Sequence, residues 1–286
     1  MRIKNQRRNL SMATVTASLR LQPLSSLSSS SSPPPSSRPL YLKFHTSHRE
    51  NLRYLSSLGV IPQNPRLAPP VDNLPAILSA VNFLKSKGIS DVDFPRLVYL
   101  CPQLFSPTFS ISETDPVFDF LAGELGASAE ESRGLIVNCP SLLLSDVEYC
   151  LRPTLVYLKE LGVKNLNRAS KTNAHVLNTR VEKLRAKVRF LKSIGFEHEE
   201  AARVCGRIPA IFGYSVEDNL RPKFEFLVYD MERELEELKK FPQYFGFSLG
   251  RRIKPRHWHL KKKGVKVSLS RMLMWGDHKF YSKWKP

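Results

Sequence analysis

Residues 151–162 read LRPTLVYLKELG, and the ending of this stretch decides the fold because it recurs along the chain. An aromatic residue precedes Leu158, and Gly162 follows four residues after that leucine. Three further copies have an aromatic residue or His, then Leu, then Gly four residues later: Phe83-Leu84 with Gly88, Phe190-Leu191 with Gly195, and His259-Leu260 with Gly264. Two copies fit more loosely, Phe120-Leu121 with Gly126 and Phe226-Leu227 with Met231. The markers recur about every 35 residues, a period typical of helical repeat arrays.

Prolines mark two further positions in this repeat. One set lies nine or ten residues before the glycine marker: Pro116, Pro153, Pro222 and Pro255, with Ala186 in the remaining unit. The other set lies 13 or 14 residues before the first: Pro102, Pro140, Pro209 and Pro242, with Ala174 in that same unit. Because proline interrupts a helix, each unit is predicted to be two helices separated by a turn, with a kink where the second helix meets its proline. The unit with two alanines lacks this reason to kink.

Capping residues place the limits of these helices. Ser128 with Glu131, and Ser145 with Glu148, have the spacing of capping boxes at the starts of two helices of one unit. Gly162 is placed to end the second helix in a left-handed conformation. The predicted fold is therefore all-α, a superhelical solenoid of about five to six two-helix repeats that bury one continuous core and leave an extended concave surface.

The repeat signals divide the chain into four regions. Residues 72–264 form the predicted repeat array, and residues 49–71 form a linker and partial cap in which Tyr54-Leu55 and Gly59 repeat the ending once more. Residues 265–286 are predicted to be a basic C-terminal tail. Residues 1–48 are predicted to be a disordered organellar transit peptide, because residues 1–49 hold eight Lys or Arg and no acid and include a tract rich in Ser and Pro at residues 25–37.

The richness in Ser and Pro favours the chloroplast as the destination, with the mitochondrion as the alternative. Met12 is a second candidate for the initiator, and the alternative to a transit peptide is a basic tail that stays attached. No run of ~18 apolar residues occurs, so no membrane span is predicted. The four cysteines have neither a disulfide nor a zinc-binding spacing.

Charge is distributed very unevenly over the chain, whose net charge is +18. Residues 50–163 hold 8 bases and 13 acids, and residues 193–249 hold 7 bases and 11 acids. Residues 164–192, in contrast, hold nine bases and one acid, and residues 250–286 hold twelve bases and one acid. Two basic blocks in an otherwise acidic chain indicate a localised surface for a polyanion.

Three strings carry a resemblance to a known family: NCPSLLL (138–144), LRPTLVYLKELG (151–162), and FPQYF (241–245) followed by RIKPR (252–256). They resemble the mitochondrial transcription termination factor (mTERF) family, in particular its plant organellar branch, over about residues 50–275. Tetratricopeptide and pentatricopeptide repeats fit less well, because the former need a Trp-Leu-Gly-Tyr pattern and the latter lack two fixed prolines. The resemblance implies a helical superhelix that holds nucleic acid along a concave basic side. It also implies a role in organellar transcription termination, transcript processing or ribosomal RNA maturation.

Basic residues recur on one face of the second helices. The residue before the second-helix proline position is basic in four consecutive units, and another base follows seven residues later in three of them, which is about two helical turns. We call this set, with one further arginine, the basic row: Arg152, Lys159, Arg185, Arg189, Lys192, Arg221, Lys254 and Lys261. Such a row suits the phosphates of a nucleic acid. The alternative is that these side chains only solvate the free face of amphipathic helices.

No other pattern in the sequence indicates chemistry. His257 and His259 fall on opposing sides of a helix without a cysteine nearby, so no metal site is predicted, and no nucleophile motif or phosphate loop occurs. We therefore expect no catalytic residues and no cofactor. The predicted function is a monomeric, plastid nucleic-acid-binding factor that occupies double-stranded DNA or RNA. Transcription or RNA-processing proteins are further candidate partners, and the sequence does not decide whether one is recruited. The alternative is a helical-repeat scaffold for protein interactions in an organelle.

Overall fold

The structure, a computed structural model, describes residues 47–63 and 71–284. The predicted transit peptide lies outside these residues, except for its last two positions. Within the described residues every regular element is helical and no strand occurs, which confirms the all-α prediction. None of the described helices combines the length and apolar content needed to cross a bilayer.

The α-helices follow one another in pairs. In chain order they are α1 His48–Ser57, α2 Leu74–Ser86, α3 Phe94–Leu100, α4 Ile111–Asp119, α5 Ala129–Asn138, α6 Arg152–Glu160, α7 Lys171–Leu177, α8 Val181–Ser193, α9 His198–Arg207, α10 Arg221–Glu225, α11 Leu235–Lys240, α12 Lys254–Lys262, α13 Leu269–Met274 and α14 Asp277–Lys283. From α3 onward, successive pairs form units 1 to 6, so that unit 1 is α3 with α4 and unit 6 is α13 with α14.

The first proline position starts a short 3-10 helix between the two helices of a unit. These segments are Pro102–Phe105, Pro140–Leu144, Pro209–Gly213 and Pro242–Gly246. Proline fits there because the first residues of a helix have no intrahelical acceptor for their N–H groups. The predicted turn between the helices is thus present in units 1, 2, 4 and 5.

The second proline position marks a π-helical turn in three units. The turns Val147–Leu151, Val216–Leu220 and Leu249–Ile253 run directly into α6, α10 and α12, in each of which proline is the second residue. The wider turn closes with bonds such as that from Leu151 N–H to the carbonyl of Asp146, at 3.0 Å. In these three units a π turn therefore lies directly before the proline position at which a kink was predicted. Unit 3 has Ala186 here, and α8 is uninterrupted.

Most second helices end as the glycine marker predicts. Gly162 has φ of +73°, and the N–H of Val163 donates to the carbonyl of Leu158 at 3.0 Å. The marker at Met231 is wrong by one residue, because the left-handed residue of unit 4 is Glu232, with φ of +50°. A second π turn, Phe226–Asp230, inserts one residue before this ending. The same insertion, Phe120–Glu124, explains the loose spacing at Gly126.

Unit 3 departs from the repeat on both sides of α7. Ala174, the predicted equivalent of the first proline, lies buried inside α7. Asn178 ends that helix, and its Nδ2 donates to the hydroxyl of Ser141 at 2.9 Å and approaches Cys139 Sγ. No 3-10 helix separates α7 from α8, whereas a longer loop, residues 163–170, precedes α7. The period is kept because an insertion before α7 compensates for a deletion after it.

One of the two predicted capping boxes is present. Ser128 and Glu131 cap α5 reciprocally, as predicted. The box at Ser145 is wrong, because Asp146 caps the following π turn by accepting the N–H of Tyr149 at 2.7 Å. Ser145 instead donates to the carbonyl of Ser141, which ties it to the 3-10 helix.

Buried apolar residues of all units join one continuous core. In α6 and its π turn, Leu151, Leu155 and Leu158 are at most 2% exposed, so this seam faces the neighbouring units. The predicted C-terminal tail belongs to the same core between residues 269 and 283: α13 and α14 bury Leu269, Met272, Leu273 and Phe280. The helical array thus extends past residue 264 by a further unit.

Candidate nucleic-acid interface

Members of the basic row lie over aromatic rings of the preceding unit. The guanidinium carbon of Arg185 is 5.5 Å from the ring centroid of Tyr157, and that of Arg221 is 5.7 Å from Phe190. Lys254 Nζ is 5.4 Å from the ring of Phe226. Each ring belongs to the aromatic–Leu pair that defines the repeat. The sequence contains a signal for these contacts, which is an aromatic residue 28 or 31 positions before a base.

Arg152 starts the row but is already neutralised within the protein. Its Nη2 lies 2.6 Å from Glu124 of unit 1, and it also pairs with Glu148 in the π turn that precedes α6. The hydrogen bonds that Arg152 donates to these two carboxylates raise its own pKa and lower the pKa of Glu124. Lys159 Nζ donates to the backbone carbonyl of Glu124 at 3.3 Å. This end of the row is therefore weakly cationic.

Arg221 is likewise paired, through Nε to Glu217 at 2.6 Å, in the π turn that precedes α10. Both groups are exposed, so water and salt screen this pair and it is weak. Arg221 thus keeps its position over Phe190 while sharing its charge with a carboxylate.

The face of α8 holds the concentrated, uncompensated charge of the row. Arg185, Arg189 and Lys192 are exposed, and within the described residues none of them forms an ion pair with a carboxylate. Successive members are four and three residues apart, so they share one side of the helix. Burial raises the pKa of the Tyr157 hydroxyl beneath Arg185, while Arg185 and Arg189 act in the opposite direction.

The last members of the row lie next to an aromatic cluster formed by units 4 and 5. Lys261 Nζ lies 5.2 Å from the ring centroid of Trp258, which is 47% exposed. Trp258 meets Phe226 edge to face at 6.3 Å, and Lys254 lies over that same phenylalanine. The row therefore ends in two lysines next to a half-exposed indole ring.

Two arginines of the basic C-terminal block stabilise the fold and are not available to bind a ligand. Arg256 is 1% exposed, donates to the carbonyl of Met272 at 2.6 Å and pairs with Asp277. Arg252 donates to the carbonyl of Leu273 at 3.0 Å. These two arginines attach α13 and α14 to α12, so the free charge of this block is smaller than the sequence suggests.

The fold and this surface together define a class: an all-α repeat protein whose second helices carry a row of bases next to aromatic rings. A family model described as mTERF matches residues 120–281, more than half of the chain. The chain belongs to the mTERF family, as the sequence motifs indicated.

Plant proteins of this family are similar to the chain. Transcription termination factor MTERF8, chloroplastic, of Arabidopsis thaliana is 28% identical over 218 residues, which cover 72% of this chain and 43% of that protein. Transcription termination factor MTERF2, chloroplastic, of the same species is 37% identical over 98 residues, or 34% of this chain and 15% of that protein. Transcription termination factor MTERF4, chloroplastic, of Zea mays is 33% identical over 98 residues, which cover 34% of this chain and 20% of that protein. The chain thus matches less than half the length of each of these relatives.

Proposed function

We propose that the protein binds nucleic acid through the basic row and acts in plastid gene expression by occupying its target. The observation that carries this proposal is the face of α8, where Arg185, Arg189 and Lys192 have no carboxylate partner among the described residues. Unpaired cations at helical spacing give phosphates a favourable, salt-sensitive site. Members of the basic row on α6 and α12 occupy the equivalent positions of units 2 and 5.

The rings beneath the row support the same function. A cation held over an aromatic face has fewer conformations to lose when a phosphate binds, because the ring already restricts it. Arginine also keeps its donors in a planar fork that matches two phosphate oxygens. Arg185 over Tyr157 therefore makes a better preorganised phosphate contact than a free surface lysine.

The relatives set the cellular context of the proposal. Each of those compared above is named as a chloroplastic transcription termination factor, which supports the chloroplast destination predicted from the N-terminal composition. We propose that the chain acts on transcription termination, transcript processing or ribosomal RNA maturation in that organelle. A binding role of this kind uses neither a catalytic residue nor a cofactor.

A protein-interaction scaffold is the second candidate, and one observation favours it. A groove of about 710 Å³ between units 1 and 2 is lined by five carboxylates: Glu113, Asp119, Glu124, Asp146 and Glu148. Arg152, the single cation that lines it, is paired with two of them. This groove repels nucleic acid and suits a basic protein segment.

Crosslinking in isolated chloroplasts separates the two candidates. The tagged protein is crosslinked, purified under denaturing conditions and analysed for both attached nucleic acid and attached protein. The proposal expects discrete DNA or RNA fragments whose yield falls when Arg185, Arg189 and Lys192 are replaced by Gln. Recovery of protein partners alone, with no nucleic acid above the level of an untagged control, contradicts it.

A further inference from the structure

A second basic groove lies between residues 163–170 and α9, and none of the row residues lines it. The groove has a volume of about 640 Å³. Four cationic side chains line it: Lys164, Arg168, Arg203 and Arg207. Among the residues that the structure describes, no carboxylate lines the groove. The lining of this groove is therefore net positive, although Glu131 acts on Arg168, and Glu200 on Arg203, from outside it.

The loop on one side of the groove is particular to unit 3 and is held by its own hydrogen bonds. Asn173 Nδ2 donates to the carbonyls of Asn165 and Arg168, at 2.8 and 3.1 Å. The N–H of Arg168 donates to Asn165, whose φ is +56°. Lys164 and Arg168 therefore extend from a backbone with a defined course, which favours a binding site over a mobile basic loop.

The other side of the groove is formed by α9 of unit 4. Arg203 and Arg207 are four residues apart and share one face of this helix. Gly206 lies next to the end of α6, and a Cβ atom there would be 3.1 Å from the carbonyl oxygen of Gly162. A side chain at this position would force the backbone at the end of α6 to shift by a few tenths of an ångström, so glycine favours the close approach of α9 to this end.

The chemistry of the groove fits phosphate. Four cations that line one groove repel one another, and a bound anion reduces that cost. Arginine guanidinium groups bind phosphate oxygens in pairs, and the volume lies within the range of about 300–1,000 Å³ common for small-ligand sites. We infer that this groove is a second phosphate-binding site of the protein, for phosphate groups carried by a free nucleotide or by a polynucleotide strand. The inference does not rest on the basic row.

The test measures binding of inorganic pyrophosphate, ATP and a single-stranded oligonucleotide to the full chain by calorimetry. The variant Arg203→Gln/Arg207→Gln removes two cations from the groove. Its matched control, Lys279→Gln/Lys283→Gln, removes two cations at the same spacing from the exposed face of α14. Charge-assisted bonds contribute enough that the groove variant should lose about tenfold or more in affinity, while the control stays within about twofold of the wild type.

The three ligands separate the two sources of phosphate. Pyrophosphate and ATP binding that is lost in the groove variant supports the inference with a free nucleotide as ligand. Oligonucleotide binding that is weakened in the groove variant, without binding of either small ligand, supports it with a strand. The inference is overturned if no probe binds the wild type, or if the groove variant and its control behave alike.

A measurement on the wild type covers the case in which the groove variant does not fold. Phenylglyoxal modifies exposed arginines, and mass spectrometry maps the modified positions. A saturating concentration of whichever of pyrophosphate, ATP or the oligonucleotide binds should protect Arg203 and Arg207 but not Arg251, which is exposed in unit 5. Equal modification of all three arginines with and without ligand overturns the inference. Binding through the row is judged separately, because Arg185→Gln/Arg189→Gln/Lys192→Gln leaves the groove unchanged.

Discussion

Arg185 lies over the ring of Tyr157, with the guanidinium carbon 5.5 Å from the ring centroid, and this contact joins the second helices of units 2 and 3. Arg221 over Phe190 and Lys254 over Phe226 repeat it in the next two steps of the array. A residue proposed to bind phosphate thus also connects neighbouring units. Substitutions in the row are expected to affect both stability and binding, and the two effects must be measured apart.

The Arg185–Tyr157 contact can be quantified by a double-mutant cycle. Arg185→Met and Tyr157→Leu each keep apolar bulk but remove the cation or the ring. We expect a coupling free energy of about 0.5–1 kcal/mol, the value typical of exposed cation–π pairs. Urea unfolding of the wild type, both single variants and the double variant measures it. Strict additivity of the two single effects would show that the pair makes no specific contribution.

Carboxylates should set how much Arg152 contributes to binding. Glu124→Gln/Glu148→Gln frees the guanidinium, so nucleic-acid affinity should rise and the salt slope of log K should steepen by about one unit. Glu199→Gln/Glu234→Gln is the control, because it removes two exposed carboxylates that have no ion-pair partner among the described residues. Fluorescence anisotropy at several salt concentrations measures both. If Arg152→Gln weakens wild-type binding as much as Arg185→Gln does, Arg152 is not neutralised as described.

The left-handed residue of unit 4 predicts a stabilising substitution. Glu232 has φ of +50°, a conformation that costs an L-residue other than glycine about 1 kcal/mol or more. Glu232→Gly should therefore raise the free energy of unfolding by about 1 kcal/mol. Gly162→Ala, at the equivalent position of unit 2, should lower it by a similar amount. Urea denaturation measures the free energy of unfolding of both variants. A destabilised Glu232→Gly protein would contradict the claim that the left-handed conformation of Glu232 is strained.

Lys223 predicts a rise of stability at alkaline pH. This lysine is 4% exposed, and its Nζ donates to Asn219 Oδ1 and to the carbonyl of Phe245 at 2.6 and 2.7 Å, without a carboxylate partner among the described residues. Burial lowers its pKa from 10.5 to about 8. Between these values the unfolded chain binds more protons than the folded one, so unfolding free energy should increase with pH, by at most about 1.4 kcal/mol per unit.

Lys223→Met is the comparison for this pH dependence. The wild type should gain stability relative to the variant between about pH 8 and 10.5, and the two should run parallel below pH 7. Denaturant unfolding at a series of pH values measures the difference. Parallel profiles over the whole range would mean that Lys223 titrates normally.

Much of the fold follows from the sequence because each unit repeats the same local signals. Pro140 starts a 3-10 helix and Gly162 ends an α-helix because of local backbone preferences that involve only a few neighbouring residues. The π turns escaped prediction, because an inserted residue such as that in Phe226–Asp230 changes the spacing by one position only. The helical C-terminal unit was missed because its stability depends on tertiary contacts, above all the burial of Arg256 under α13.

The sequence predicted which helix face carries the basic residues of the candidate site. It did not predict which of these residues are neutralised by carboxylates. Helical spacing places Arg152 and Arg185 at equivalent positions, and the structure keeps that equivalence. Their electrostatic environments differ, because Arg152 meets Glu124 of the neighbouring unit whereas Arg185 meets the ring of Tyr157. Contacts between units decide which bases stay free, and a single sequence does not reveal such contacts.

The measurement that tests the central proposal most directly is a salt titration of nucleic-acid binding. Labelled duplex DNA and RNA are titrated with the wild type, with Arg185→Gln/Arg189→Gln/Lys192→Gln, and with the control Lys266→Gln/Lys279→Gln/Lys283→Gln. If the row neutralises about six phosphates, log K should fall against log salt with a slope of about −5 on duplex DNA. The row variant should bind more weakly and have a slope flatter by about 2 to 3 units, with unchanged helicity by circular dichroism, while the control keeps the wild-type slope. Equal affinity and slope in wild type and row variant, or no binding by the wild type, would contradict the account.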